Sequence, residues 1–207
     1  MLHAAALPAA AVAGLALTAL GPTRPARLAA AVYGMTCMAL FGVSAAYHRS
    51  PPGSRRRNLL ARLDHVSILL LIAGTYTPLA VLALHGWTRL SVLSIMWAAT
   101  SVGALARLIW RPAWRQAPRW LMASLFLALG WGALFVLPQL LRGAGALVLA
   151  LVLAGGMVYS LGAVVYARKR PDPSPQWFGF HEVFHAMTIV AYLVQYVAVS
   201  LVVYRAA

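Results

Sequence analysis

Acidic side chains are almost missing from this chain. Among 207 residues there are three, Asp64, Asp172 and Glu182, and charged residues of both signs make up only 10%. Soluble domains carry about 25% charged residues, so an aqueous surface of ordinary composition cannot be built here. Cysteine occurs once, at Cys37 inside an apolar run, which excludes an intrachain disulfide and leaves the compartment open. Lysine also occurs once, at Lys169 in a polar stretch, so no apolar run offers the amine that a retinal Schiff base needs. No repeat period and no second domain is evident; Ser50–Asn58 and Pro171–Pro175 read as loops within a single domain spanning 1–207.

Apolar residues supply 62% of the sequence. Crossing a hydrocarbon core of roughly 30 Å takes about 20 residues of helix, and seven runs approach or reach that length: Ala5–Leu20, Arg27–His48, Leu63–Leu84, Arg89–Ile109, Trp120–Leu137, Ala146–Tyr166 and Phe180–Tyr204. The expected architecture is therefore an all-α bundle of seven transmembrane helices in the cell membrane. The first run is short and rich in alanine, but no Lys or Arg precedes it as in a secretion signal, and it is kept as a span. Basic loops stay cytoplasmic. Twelve basic residues follow the second, fourth and sixth runs: Arg49, Arg55, Arg56, Arg57, Arg62, Arg107, Arg111, Arg115, Arg119, Arg168, Lys169 and Arg170. Five, Arg24, Arg27, Arg89, Arg142 and Arg205, fall on the other side. This predicts a cytoplasmic N-terminus and an external C-terminus. The net charge of +14 sits in short loops beside spans, which favours anionic lipid over nucleic acid as partner.

The remaining polar residues are not scattered. His48 ends the second run, Asp64 begins the third, and His181 and His185 begin the seventh, so all four are expected at the cytoplasmic edge of the bilayer. Ionisable groups in a span face the bundle interior and mark sites of function. His181 and His185, four apart, lie about 40° apart around a helix and about one turn along it, so both can reach one ion. Three imidazoles without a thiolate suit a divalent transition metal, zinc first, with a fourth tetrahedral position open to water, whose pKa zinc can lower to about 7. Asp64 is placed to accept a proton from such a water, and Ser44, one turn before His48 on the same face, to hydrogen-bond within the site. Each residue also has a plainer reading. His48 suits a helix end, Asp64 an ion pair with Arg62 or a helix cap, and Ser44 a bond to its own backbone. His3, His65 and His85 are read as structural or interfacial, His85 on the opposite side. Pro78 removes a backbone bond in the third run and is expected to kink it.

His181-Glu182-Val183-Phe184-His185 also fits the H-E-x-x-H pattern of zinc metalloproteases, with Glu182 as general base. That reading requires a third ligand, usually downstream, where neither acid nor histidine follows. The upstream His48 is the better third ligand.

Three stretches together resemble the hemolysin III family, relatives of the adiponectin and progestin receptors. Ser44-Ala45-Ala46-Tyr47-His48 is similar to its S-x-x-x-H motif, Asp64 to Pro78 to its third-helix signature, and His181 to His185 to its H-x-x-x-H motif. The resemblance spans all seven runs. It implies a seven-helix bundle with zinc held by His48, His181 and His185 near the cytoplasmic face, Asp64 at the zinc water and Ser44 close by. Relatives in the wider superfamily hydrolyse amides of ceramides, and bacterial members are associated with haemolysis and with membrane lipid or energy homeostasis. One departure is Gln195, where family members often carry another histidine.

Two classes of function remain open. One is zinc-dependent hydrolysis of a lipid amide or ester, with Asp64 handling the proton. The other is a membrane sensor or regulator in which zinc only ties the second and seventh helices together. Pore formation would want polar groups lining a lumen through the bilayer, and the acids trace no path across it as a transporter's would.

Overall fold

The computed structural model describes residues 2–109 and 119–206. Arg111 and Arg115, two of the residues used above for orientation, lie outside the described residues, as does the side chain of Arg119. The described elements are α1 (Leu2–Leu20), α2 (Arg24–Arg49), α3 (Arg55–Ala83), α4 (Gly86–Ile109), α5 (Arg119–Gly130), a 3₁₀ stretch (Trp131–Val136), α6 (Leu137–Ala144), α7 (Ala146–Arg168) and α8 (Phe180–Tyr204). Among the described residues there is no strand, only a single bridge between Ser174 and Phe178. Among the described residues, seven segments are long and apolar enough to cross a membrane, the fifth being α5, the 3₁₀ stretch and α6 taken together.

Of the expected boundaries that shift, three do so for a plain local reason. Thr23 caps α2, its Oγ1 accepting from Ala26 N at 3.4 Å, with Pro25 in the first turn, so the helix starts at Arg24 and not Arg27. Ser54 caps α3 in the same way, accepting from Arg57 N at 3.1 Å. Arginine is a good helix former, so the basic run expected as loop through Asn58 is helical from Arg55, and Asp64 lies in the third turn of α3 and not at its start. The fifth segment, expected as one helix over Trp120–Leu137, breaks at Gly130. There the Tyr76 hydroxyl donates to Gly130 O at 2.7 Å and accepts from Ala133 N at 2.5 Å, satisfying backbone groups released by the tighter 3₁₀ turn.

The two central helices are α3 and α8. α3 packs against α2, α4, α5, α6 and α8; α8 packs against α1, α2, α3 and α7. Transmembrane helices approach closely where small residues face each other. A Cβ on Gly14 of α1 would stand 3.0 Å from Gly34 Cα of α2, so the two backbones touch there. Tyr33, Phe41 and Leu17 then join Val199 and Val203 of α8 in a fully enclosed cluster. Large apolar side chains such as Leu15, Met35, Ile95, Val102 and Leu161 point outward, as hydrocarbon surroundings require.

Candidate metal centre and adjoining cavity

The start of α8 is fixed by the chain's own scarce acids. Ser174 and Phe178 exchange two backbone bonds, of 3.1 and 2.7 Å, folding the preceding loop back toward the helix. Phe180 N then donates to Asp172 Oδ1 at 2.8 Å, and Gly179 N to Glu182 Oε2 at 3.1 Å. Helix N-termini leave backbone N–H groups unpaired and carry partial positive charge, so two carboxylates there both satisfy donors and oppose the dipole. Glu182, the general base of the protease reading, has its carboxylate engaged in this cap.

Within the first two turns of the helix so capped, the two histidines meet His48 from the last turn of α2. The Nε2 atoms lie 3.2 Å apart between His181 and His48, 3.1 Å between His185 and His48, and 2.9 Å between His185 and His181. These contacts cannot all be hydrogen bonds. The Nε2 of a neutral imidazole is either donor or acceptor, so of three such atoms at least two are alike, and at least one edge of the triangle sets like against like. A cation resolves this by accepting all three lone pairs. A tetrahedral ion with bonds of about 2.0–2.1 Å sets nitrogens roughly 3.3–3.4 Å apart, close to the separations found, and the three side chains lie near enough to hold a metal ion. An all-imidazole set suits a transition metal and not calcium or magnesium, which prefer oxygen.

His185 is buried and serves two neighbourhoods. Its Nε2 joins the triangle, while its ring also lines an apolar cavity running along α8 as far as Gln195. Leu40, Ile68, Leu71, Phe126 and Tyr159 contribute to that lining, and so do Asp64 and Ser44. The Ser44 hydroxyl is 1% exposed and lies beside the Asp64 carboxyl, but outside hydrogen-bonding geometry. Other buried hydroxyls behave differently: Thr36 and Ser67 bond backbone carbonyls at 2.8 and 2.7 Å. The plainer readings of Asp64 are not realised either, since it does not cap α3 and the Arg62 guanidinium reaches Leu108 O at 3.3 Å.

All five residues singled out from sequence, Ser44, His48, Asp64, His181 and His185, thus come to the triangle or to the cavity it adjoins. His65 is structural, its Nδ1 within 2.8 Å of Ala61 O one turn earlier. Of the structural and interfacial roles expected for His3, its burial fits the structural one. It is 5% exposed, and its ring nitrogens stand 2.9 and 3.1 Å from His185 Nδ1. Sequence reasoning missed that contact because the partner lies across the fold; the burial of His3 on α1 appears only once Gly14 docks on Gly34. Asp172 was also missed, its role depending on a loop conformation with no periodicity to read.

The model of the family described as Haemolysin-III related matches residues 1–196. The chain is 31% identical to "Hemolysin-3" of Bacillus cereus over 161 residues, covering 76% of this chain and 70% of that protein. It is 29% identical to the "Hemolysin-3 homolog" of Bacillus subtilis (strain 168), with 72% and 68% covered. To the "Heptahelical transmembrane protein ADIPOR2" of Oryza sativa subsp. japonica it is 32% identical, with 87% and 82% covered.

Proposed function

The chain belongs to the haemolysin-III-related family, as a multi-pass protein of the cell membrane, and on that premise we propose that it is a zinc-dependent hydrolase of an amide or ester bond in a membrane lipid, ceramide-like in kind. One juxtaposition carries the reading. The three-nitrogen site and the apolar cavity share a wall at His185, and the one carboxylate not engaged in capping α8, Asp64, faces that cavity.

His48, His181 and His185 would hold the ion. When bound, zinc supplies a Lewis acid and a water that ionises near neutral pH. Asp64 takes the proton from the attacking water and returns it to the departing amine or alcohol, so that water and lipid give a fatty acid and the remainder of the lipid as its free amine or alcohol. The Ser44 hydroxyl, buried beside Asp64 without a partner, is available to orient that carboxylate. Leu40, Ile68 and Phe126 receive the acyl chain and keep bulk water from the bond being cleaved. We place the site at the cytoplasmic face, with the N-terminus inside and anionic lipid head groups against the basic loops, because basic residues concentrate at that end of the bundle.

A second reading keeps the zinc but not the chemistry. The ligands come from α2 and α8, so an ion would cross-link the two helices in a sensor or regulator. The two part experimentally when detergent-purified protein is assayed for bound metal and for fatty-acid release from ceramide and phospholipid panels. Hydrolysis requires turnover in the wild type, metal without turnover in Asp64→Ala, and neither in His185→Ala. Metal that raises thermal stability with no turnover on any lipid favours the cross-link.

A further inference from the structure

Helices α3 and α4 are joined by Leu84 and His85 alone and pack side by side in opposite directions. Their contacts set a register that continues to the basic end of the bundle. Thr100 Oγ1 of α4 donates to Leu69 O of α3 at 3.2 Å, and a Cβ on Gly103 would stand 2.8 Å from Leu69 Cδ1. Residues on one face of a helix recur every three to four positions, so stepping about two turns back along α3 and onward along α4 sets Arg62 opposite Arg107. The side chains follow this register. Arg62 Nη1 donates to Leu108 O at 3.3 Å, in the last turn of α4, and the two guanidinium groups repel each other. The last carbonyls of a helix have no partner within it, so Arg62 is held there by one N–H of its fork. Arg107 is only partly exposed, and its Nε is enclosed without an acceptor. Both groups are thus lodged in the groove between the two helices and not free in solvent.

This pair of positive charges has no counterpart in the chain. Of the three acids, Asp172 and Glu182 cap α8, and Asp64 faces the cavity, being two residues beyond Arg62 and so about 160° away around α3. We infer that the α3–α4 groove at this end is a binding site for one phosphate group, that of an anionic phospholipid, gripped by Arg62 from one wall and Arg107 from the other. Guanidinium forks match phosphate oxygens two at a time, and basic pockets between transmembrane helices take phosphate head groups in this way. Free phosphate offers the same oxygens, but two features favour the lipid. The arginines stand where the apolar span of α4 ends, at head-group depth, and Leu59, one turn before Arg62 on the same face, is 48% exposed beside them as a surface for an acyl chain. The inference rests on the reading that anionic lipid meets the basic end of the bundle, and it replaces a diffuse attraction with one site. It also gives the ligand a task, since α4 packs chiefly on α3 and a phosphate bridging the two arginines would pin its end.

The experiment titrates purified full-length protein, in micelles containing phosphatidylcholine, with phosphatidylglycerol and separately with inorganic phosphate. The thermal midpoint is followed relative to each variant's own value before addition. Arg62→Gln and Arg107→Gln remove the two walls of the site, while Arg55→Gln and Arg56→Gln, exposed in the first turn of α3, remove the same charge elsewhere. Phosphatidylglycerol is expected to raise the wild-type midpoint to a plateau. The half-effective dose is expected to rise about 10-fold or more in Arg62→Gln and in Arg107→Gln, and to stay at the wild-type value in the other two. If Arg107→Gln does not fold, Arg107→Lys keeps the charge without the fork and is expected to shift the dose in the same direction; a dose equal to wild type overturns the inference. Equal doses in wild type, Arg62→Gln and Arg107→Gln overturn it and show a diffuse attraction instead, and equal losses in all four variants overturn it because charge alone would then suffice. A wild type that phosphatidylglycerol does not stabilise contradicts the lipid reading itself. Stabilisation by inorganic phosphate at the same concentration, lost in the same two variants, supports the site and assigns it to free phosphate.

Discussion

Asp64 and Gln195 mark the two polar ends of one apolar cavity, and their chemistry sets them apart. Asp64 is an acceptor of protons in a chain with no other uncommitted carboxylate, so its amide replacement tests the proposed reaction with little change of shape. Asp64→Asn is expected to keep its metal and lose about 10²–10⁴-fold in lipid turnover, the usual worth of a general base, as read by fatty-acid release against metal content. Gln195 has a different balance: Nε2 donates to Val152 O at 3.1 Å, while Oε1 is buried without a partner. A buried unpaired acceptor costs about 1–3 kcal/mol, and replacing it with an apolar group of similar shape can be neutral or better. Gln195→Leu is accordingly expected to leave the thermal midpoint unchanged or raised, and a fall of several degrees would show that Oε1 has a partner in the membrane.

Among the elements, α8 carries the site and its first turn is where the sequence was hardest to read. The apolar run from Phe180 to Tyr204 announced the helix to the residue, and the one-turn spacing of His181 and His185 announced a shared face. What stayed hidden was non-local or irregular: the Asp172 cap, the 3₁₀ break pinned by Tyr76 from α3, and the extension of α3 back to Arg55, where hydropathy sees charge and helix propensity sees arginine. Removing the cap with Asp172→Ala is expected to cost about 1 kcal/mol, measured as a lowered midpoint in denaturant or heat. At the other contact of the site, α1 reaches His185 only because its backbone touches α2 at Gly14 and Gly34. Gly34→Leu has no space there and is expected to cost about 1–3 kcal/mol by overpacking, measured as a lowered thermal midpoint.

At the scale of the molecule, seven apolar segments enclose one polar corner. Hydropathy disclosed the segments and histidine spacing disclosed two of the three clustered imidazoles, but the assembly of that cluster from α2 and α8, with His3 of α1 behind it, is a property of the packed bundle. The same packing sets an apolar cavity against that corner, which is what turns a cluster of histidines into a candidate for lipid chemistry. Every step of the account depends on the triangle of Nε2 atoms being filled by an ion. The most direct test is metal analysis of the purified wild-type protein beside His185→Ala. The account predicts about one zinc ion per chain in the wild type, as a three-histidine site with an open position would hold, and almost none in the variant; a wild type purified and reloaded with zinc that still carries no stoichiometric metal would contradict it.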